Sequence, residues 1–292
     1  MTLFTDNLPL ITSSKELQSL IEQYPKYDPY YIASGSIKDW REKFDDLFRH
    51  YHSFADRHFL SEVKRRFHQR TWEMYLSVVL LNRGIRFSSQ NSGPDILIEF
   101  HGKKIWIECV ACEKGGGADQ VPDMIWSEVQ PTPDSEMLLR LASVLKDKFE
   151  KYCQYVRKGV VQETDQFIIA VNTGGLRFFG GHVPLILRCV FAAGHPTISF
   201  PIGGGSETHS ISTIPFIEKK SGAKVPMTFF LEEKHNGVTG VFHCGNNVLN
   251  HSDVIGEDIV LVPNPMAKNH LPVGLFDSFR AYKFDENGEI HF

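Results

Sequence analysis

The segment from Gly93 to Val110 reads as two strands on either side of His101-Gly102, a dipeptide suited to a two-residue hairpin turn. That turn pairs Phe100 with Lys103, Ile98 with Ile105 and Ile96 with Ile107, an apolar row on one face. The other face carries Glu99 opposite Lys104, Leu97 opposite Trp106 and Asp95 opposite Glu108. Directly opposed Cβ atoms lie about 4.5–5.5 Å apart, where like charges are destabilising. Two carboxylates so placed call for a divalent cation between them or a proton on one of them. An exposed hairpin end, with both acids facing water, is the alternative. Oxygen ligands of this kind suit Mg²⁺ or Mn²⁺ rather than zinc.

A third acid, Glu73, lies just upstream in a helical pattern, three and seven residues before Leu76 and Leu80 on the same stripe. An acid on a core-facing stripe must be paired, protonated or beside a metal. Arg70 and Arg66 are the partners its own helix offers. Between Arg57 and Arg70 there are five basic residues, Arg57, Lys64, Arg65, Arg66 and Arg70, and one acid, Glu62. Lys64, Arg65, Arg66 and Arg70 are therefore candidates for holding nucleic-acid phosphates, with an ordinary solvated helix face as the other reading.

The elements that carry these residues follow from periodicity. Ser13 and Glu16 form a capping box before a stripe of Leu17, Leu20, Ile21 and Tyr24. After the Pro25–Pro29 break, Ser36 is expected to cap a second helix with the stripe Trp40, Phe44, Leu47 and Tyr51. A third helix is expected from Phe59 to Asn82, stopped by Gly84. The period then shortens to that of strands: Ile85–Ser89, a polar turn at Gln90-Asn91-Ser92-Gly93, then Pro94–Phe100 and Lys103–Val110. A long helix is expected from Asp134 to Tyr155, and a buried strand at Phe167–Val171. Strand-like runs recur at Leu185–Phe191, Thr228–Leu231, Thr239–Cys244 and Ile259–Val262.

At Trp72-Glu73, Gly93-Pro94-Asp95 and Glu108-Cys109-Val110 the sequence resembles the PD-(D/E)XK nuclease superfamily, in which a helix supplies a Glu, one strand begins with Pro-Asp and the next ends in (Asp/Glu)-x-Lys. The resemblance spans about residues 59–172. It implies an α/β fold with a restriction-endonuclease-like mixed sheet flanked by helices. The expected division is a helical N-terminal extension (1–56), the nuclease-like core (57–172) and a continuation of the same domain (173–292). It also implies a nuclease that hydrolyses DNA or RNA with Mg²⁺ or Mn²⁺, held by Asp95, Glu108 and Glu73 with the Cys109 carbonyl as a further ligand. The lysine of the motif is Val110 here. Lys114, or Arg140 and Lys148 on the long helix, are the candidates for a migrated basic group. A catalytically inactive relative that binds nucleic acid or acts as a scaffold is the alternative. An acid–base pair of the glycosidase kind is a third reading of Asp95 and Glu108.

The 292 residues, 42% apolar and 12% aromatic, are enough for a large core without disulfides or a structural metal. A net charge of −4 excludes a generally basic coat, so any nucleic-acid contact must be local. No apolar run is long enough to cross a membrane, and the first twenty residues lack the pattern of a secretory signal. The five cysteines (Cys109, Cys112, Cys153, Cys189 and Cys244) read as reduced, mostly buried thiols of a cytoplasmic protein. His50-x-His52 with His58 lacks the partners of a zinc site. The glycine-rich segments 115–117 and 203–209 match no phosphate-binding pattern, the second being a candidate lid. The second half is left open among sheet extension, substrate recognition and a homodimer contact.

Overall fold

The Ser13 hydroxyl accepts from the Glu16 amide at 3.3 Å and opens helix α1 (Ser14–Gln23), while Glu16 reaches back to the Thr12 amide at 2.9 Å. The computed structural model of the protein describes residues 1–90, 92–124, 128–176, 183–202, 206–284 and 290–291. Asn91 of the expected turn and residues 203–205 of the expected lid lie outside the described residues.

The proline break itself starts a helix. Asp28 caps α2 (Pro29–Ser36) by accepting from the Tyr30 amide at 2.8 Å, with Pro29 at the first helical position, where its missing N–H costs nothing. Ser36 therefore ends a helix instead of capping one, and α3 (Lys38–Tyr51) follows without a side-chain cap. The expected helix 59–82 is split into α4 (Phe59–Glu62) and α5 (Phe67–Asn82). At the end of α5, Gly84 has φ +73°; its amide reaches the Leu81 carbonyl and the Ile85 amide reaches that of Leu80, both at 2.9 Å. This is the paired closure that a left-handed residue after a helix permits.

The strands are β1 (Ser88–Ser89), β2 (Ile96–Phe100) and β3 (Lys103–Ala111), followed by α6 (Asp134–Arg157) and β4 (Gln166–Asn172). Then come α7 (Leu185–Phe191), the paired ribbons β5 (Ala193–Ser199) with β6 (Thr208–Thr213) and β7 (Phe216–Glu218) with β8 (Lys224–Pro226), and β9 (Gly240–Cys244), β10 (Ile259–Pro263) and β11 (Arg280–Ala281). Seven strands form one mixed sheet in the order β1-β2-β3-β4-β9-β10-β11. β1, β2 and β3 are antiparallel; β3, β4 and β9 are parallel, the first two joined through α6; β10 runs against β9 and alongside β11. The β2–β3 register is the one expected, from Phe100↔Lys103 to Ile96↔Ile107. His101 and Gly102 both have positive φ, +48° and +75°, as the favoured two-residue hairpin turn requires.

Helices cover both faces. Ile96, Ile98, Ile105, Ile107, Phe242 and Leu261 pack with Tyr51, Phe67, Trp72 and the N-terminal helices; Leu97, Trp106, Phe167, Ile169 and Val241 pack with Leu138, Leu141, Leu145 and Val190. Leu185–Phe191, expected as a strand, is helical, and Thr228–Leu231 is a 3₁₀ turn. Short continuous apolar runs have no period to choose between the two; Leu185–Val190 and Phe229–Phe230 are buried among other elements. Among the described residues no helix is long and apolar enough to cross a membrane. All five cysteines are free thiols, four of them buried.

Candidate active site

Strand β3 outruns its partner. β2 begins at Ile96, opposite Ile107, so the last residues of β3 have no strand on that side. Two side chains take the place of a strand there. The Cys109 amide donates to Asp95 Oδ2 at 2.7 Å, and the Ala111 amide donates to Gln69 Oε1 at 2.8 Å. Gln69 Nε2 donates in turn to the Cys109 carbonyl at 3.3 Å. This carbonyl, expected as a metal ligand, thus already accepts one hydrogen bond and keeps one lone pair.

At this point the sheet, the start of α5 and the inner face of α6 enclose a polar cavity of about 280 Å³ lined by Asp95, Glu108, Gln69, Arg66, Arg140, Lys148 and Lys151, among others. Glu108 is fully buried. Its Oε1 lies 2.6 Å from both Lys148 Nζ and Lys151 Nζ, and its Oε2 lies 3.2 Å from the Tyr155 hydroxyl, which is also 2.9 Å from the Gly93 carbonyl. Residues 148, 151 and 155 are spaced three and four apart, so one face of α6 presents all three to the acid.

Asp95 is crowded by protein and faces the charge of Glu108. Burial first, then Glu108 and Glu73, raise its pKa from the ordinary 3.8 to about 7. Burial works against the charged form of Lys151 too, but the adjoining Glu108 carboxylate outweighs it and holds the ammonium above its usual range. Tyr155 is pushed up to about 12 by burial and by Glu108, and burial raises the Cys109 thiol.

Glu73 does not line the cavity. Its Oε1 accepts from the Tyr51 hydroxyl at 2.8 Å, and its Oε2 is 2.9 Å from Arg70 Nη1, an ion pair without hydrogen-bond alignment. One helical turn sets Arg70 against it, and burial raises the carboxyl pKa. The three acids expected to share one metal are therefore divided: Asp95 and Glu108 line the cavity, and Glu73 sits behind Arg70. Arg70 is itself 8% exposed and engaged with Asp56, Glu62 and Glu73, so it is committed to acids and not to phosphates.

The other basic candidates separate similarly. Lys64 pairs with Asp6 at 2.8 Å, away from the cavity, and Lys114 pairs with Asp123. Arg140 lines the cavity and donates from Nε to the Glu113 carbonyl at 2.7 Å. Arg65 and Arg66 are exposed, and Arg66 reaches the cavity. Sequence reasoning missed Lys151, Tyr155 and Gln69. The first two had a signal in their helical spacing from Lys148; Gln69 had none, since its role depends on where β2 begins.

A separate group was also missed: Cys244, His251 and Asp258 have ligand atoms within 4.8 Å of one another, a condition no other group of three such side chains meets among the described residues. No family model, no curated protein and no solved structure matches this chain.

Proposed function

We propose that the protein is a divalent-metal-dependent nuclease of restriction-endonuclease-like architecture, hydrolysing phosphodiester bonds in DNA or RNA. The observation that carries this reading is the convergence of Asp95, Glu108 and Lys148 in one polar cavity at the open end of the β2–β3 hairpin. The order α5, three antiparallel strands, α6 and a parallel β4 supports it, because it is the order the PD-(D/E)XK resemblance implies.

The donor set fits a hard cation: two carboxylates, with the free lone pair of the Cys109 carbonyl beside them. Bound Mg²⁺ or Mn²⁺ would supply an activated water and offset charge on the phosphate. Asp95 and Glu108 would hold it, Asp95 giving up the proton that its surroundings favour near neutrality. Lys148, carried on α6, would stand in for the lysine that Val110 replaces, leaving Glu108 for the phosphate or the attacking water. Arg66 and Arg140 at the cavity wall would bind flanking phosphates.

The test is cleavage of fluorescent single- and double-stranded DNA and RNA with Mg²⁺ or Mn²⁺, against an EDTA control. Cleavage by the wild type that is lost in Asp95→Ala, Glu108→Ala and Lys148→Ala supports the reading; no cleavage, or cleavage that survives Asp95→Ala, removes it. One observation favours a second reading. Two lysines already neutralise Glu108, as in a relative that binds nucleic acid without cutting. That reading predicts EDTA-insensitive binding with no turnover.

A further inference from the structure

Cys244 closes β9, Asp258 immediately precedes β10, and His251 lies in the loop between, seven residues from each. The side chains converge. Cys244 Sγ is 3.4 Å from Asp258 Oδ2 and 3.9 Å from His251 Nδ1, and His251 Nδ1 is 2.7 Å from Asp258 Oδ2. Cys244 is fully buried and His251 is 6% exposed.

The same three residue types could make a nucleophilic triad, but the geometry argues against it. A triad places the thiol at one ring nitrogen and the acid at the other. Here Sγ and Oδ2 both face Nδ1, so the imidazole cannot relay a proton from one to the other, and the thiol is closed to substrate. Three ligand atoms around one point is instead the arrangement of a metal centre. We propose that Cys244, His251 and Asp258 bind a thiophilic divalent cation, Zn²⁺ by the chemistry of the set, which pins the 245–258 loop to the sheet.

Tetrahedral zinc with ordinary bond lengths separates its ligand atoms by about 3.3–3.6 Å. The Sγ–Oδ2 distance of 3.4 Å lies in that range and the Sγ–Nδ1 distance of 3.9 Å lies just above it, while the His251–Asp258 contact is shorter because a hydrogen bond now occupies it. Entry of the ion sends the thiol proton to solvent and takes the neutral imidazole as the tautomer protonated at Nε2, its Nδ1 lone pair on the metal, so that the ion's two charges balance the thiolate and the carboxylate. The supporting contacts are already present. Asp258 Oδ1 accepts from the Tyr75 hydroxyl at 2.7 Å, Oδ2, which faces the ligand cluster, also accepts from Asn246 Nδ2 at 3.2 Å, and the Tyr75 ring stacks on His251 at 3.7 Å with an interplanar angle of 11°. Hydrogen bonding and stacking of this kind orient metal ligands. The Asn246 carbonyl, 3.7 Å from Sγ, or a water completes the shell. None of these residues lines the Asp95–Glu108 cavity, so the proposal stands apart from the nuclease reading.

The test is a Co²⁺ titration of the full-length, metal-stripped protein, followed by displacement with Zn²⁺. The expected result is one equivalent of Co²⁺ carrying a thiolate-to-cobalt charge-transfer band that Zn²⁺ abolishes, any further Co²⁺ held at the Asp95–Glu108 carboxylates giving no such band. Cys244→Ser should remove the band, Tyr75→Phe should weaken the binding read from it about 10–100-fold, and Asp95→Ala should leave the band and its midpoint unchanged. A wild-type protein that takes up Co²⁺ without the band, or takes up none, overturns the proposal whatever the variants do. So does a band that persists in Cys244→Ser.

Discussion

Asp95→Asn offers the sharpest examination of the cavity's electrostatics. The folded protein holds the Asp95 proton to about pH 7, whereas an unfolded chain releases it near the ordinary 3.8. Between those values the native state binds the extra proton, so raising the pH removes stability, by about 1.4 kcal/mol for each pH unit. The loss is complete above pH 7 and amounts to about 4 kcal/mol. Asparagine keeps the acceptor for the Cys109 amide without the charge. Urea unfolding in EDTA should therefore show Asp95→Asn close to wild type at pH 4 and more stable by up to about 4 kcal/mol at pH 8. Mg²⁺ added at pH 8 should stabilise the wild type and not the variant, because binding to the native state adds to unfolding free energy. A stability difference that stays constant from pH 5 to pH 8 would refute the electrostatic account.

Removing Lys148 or Lys151 alone leaves Glu108 one ammonium; removing both strands a fully buried charge. Each alanine variant should cost about 1–2 kcal/mol and the pair more than the sum of the two, up to about 5 kcal/mol, in a denaturation cycle, and strict additivity would contradict the shared-acid geometry. Tyr51→Phe takes a donor from Glu73. It should destabilise by about 1–3 kcal/mol, more at pH 8 than at pH 5, because the lost donor raises a carboxyl pKa already raised by burial. Gly84→Ala meets no atom within 4 Å of the added carbon, so its penalty of about 1–2 kcal/mol is one of backbone conformation alone, readable as a lower Tm.

The hairpin register was legible from Phe100↔Lys103 to Ile96↔Ile107, since a two-residue turn leaves one register. Its start was not: the strand expected from Pro94 begins at Ile96, and Asp95 engages the Cys109 amide through its side chain. α6 was legible as a long unbroken stripe from Met137 to Tyr152. The sequence misled where one signal serves two purposes. Asp28-Pro29 reads as a break and is a helix start; Leu185–Phe191 reads as a strand and is a helix buried on most sides. In the site, side chains opposed across the hairpin could be paired in advance. Glu73 could not be placed, because its helical stripe allows either the cavity or Arg70, and only packing decides. Cys244, His251 and Asp258 were invisible because six-residue gaps carry no local period; the return of β10 against β9 brings them together.

The substitution of Gln69 and Asp95 for a missing strand bears on solubility. An unpaired strand margin offers its amides and carbonyls to any extended chain, and proteins commonly blunt such margins to prevent intermolecular ladders. By engaging Cys109 and Ala111, these two side chains shield the one stretch of β3 that a second molecule's strand would otherwise extend, so Gln69→Ala should be recovered from concentrated solution more as aggregate than as unfolded monomer.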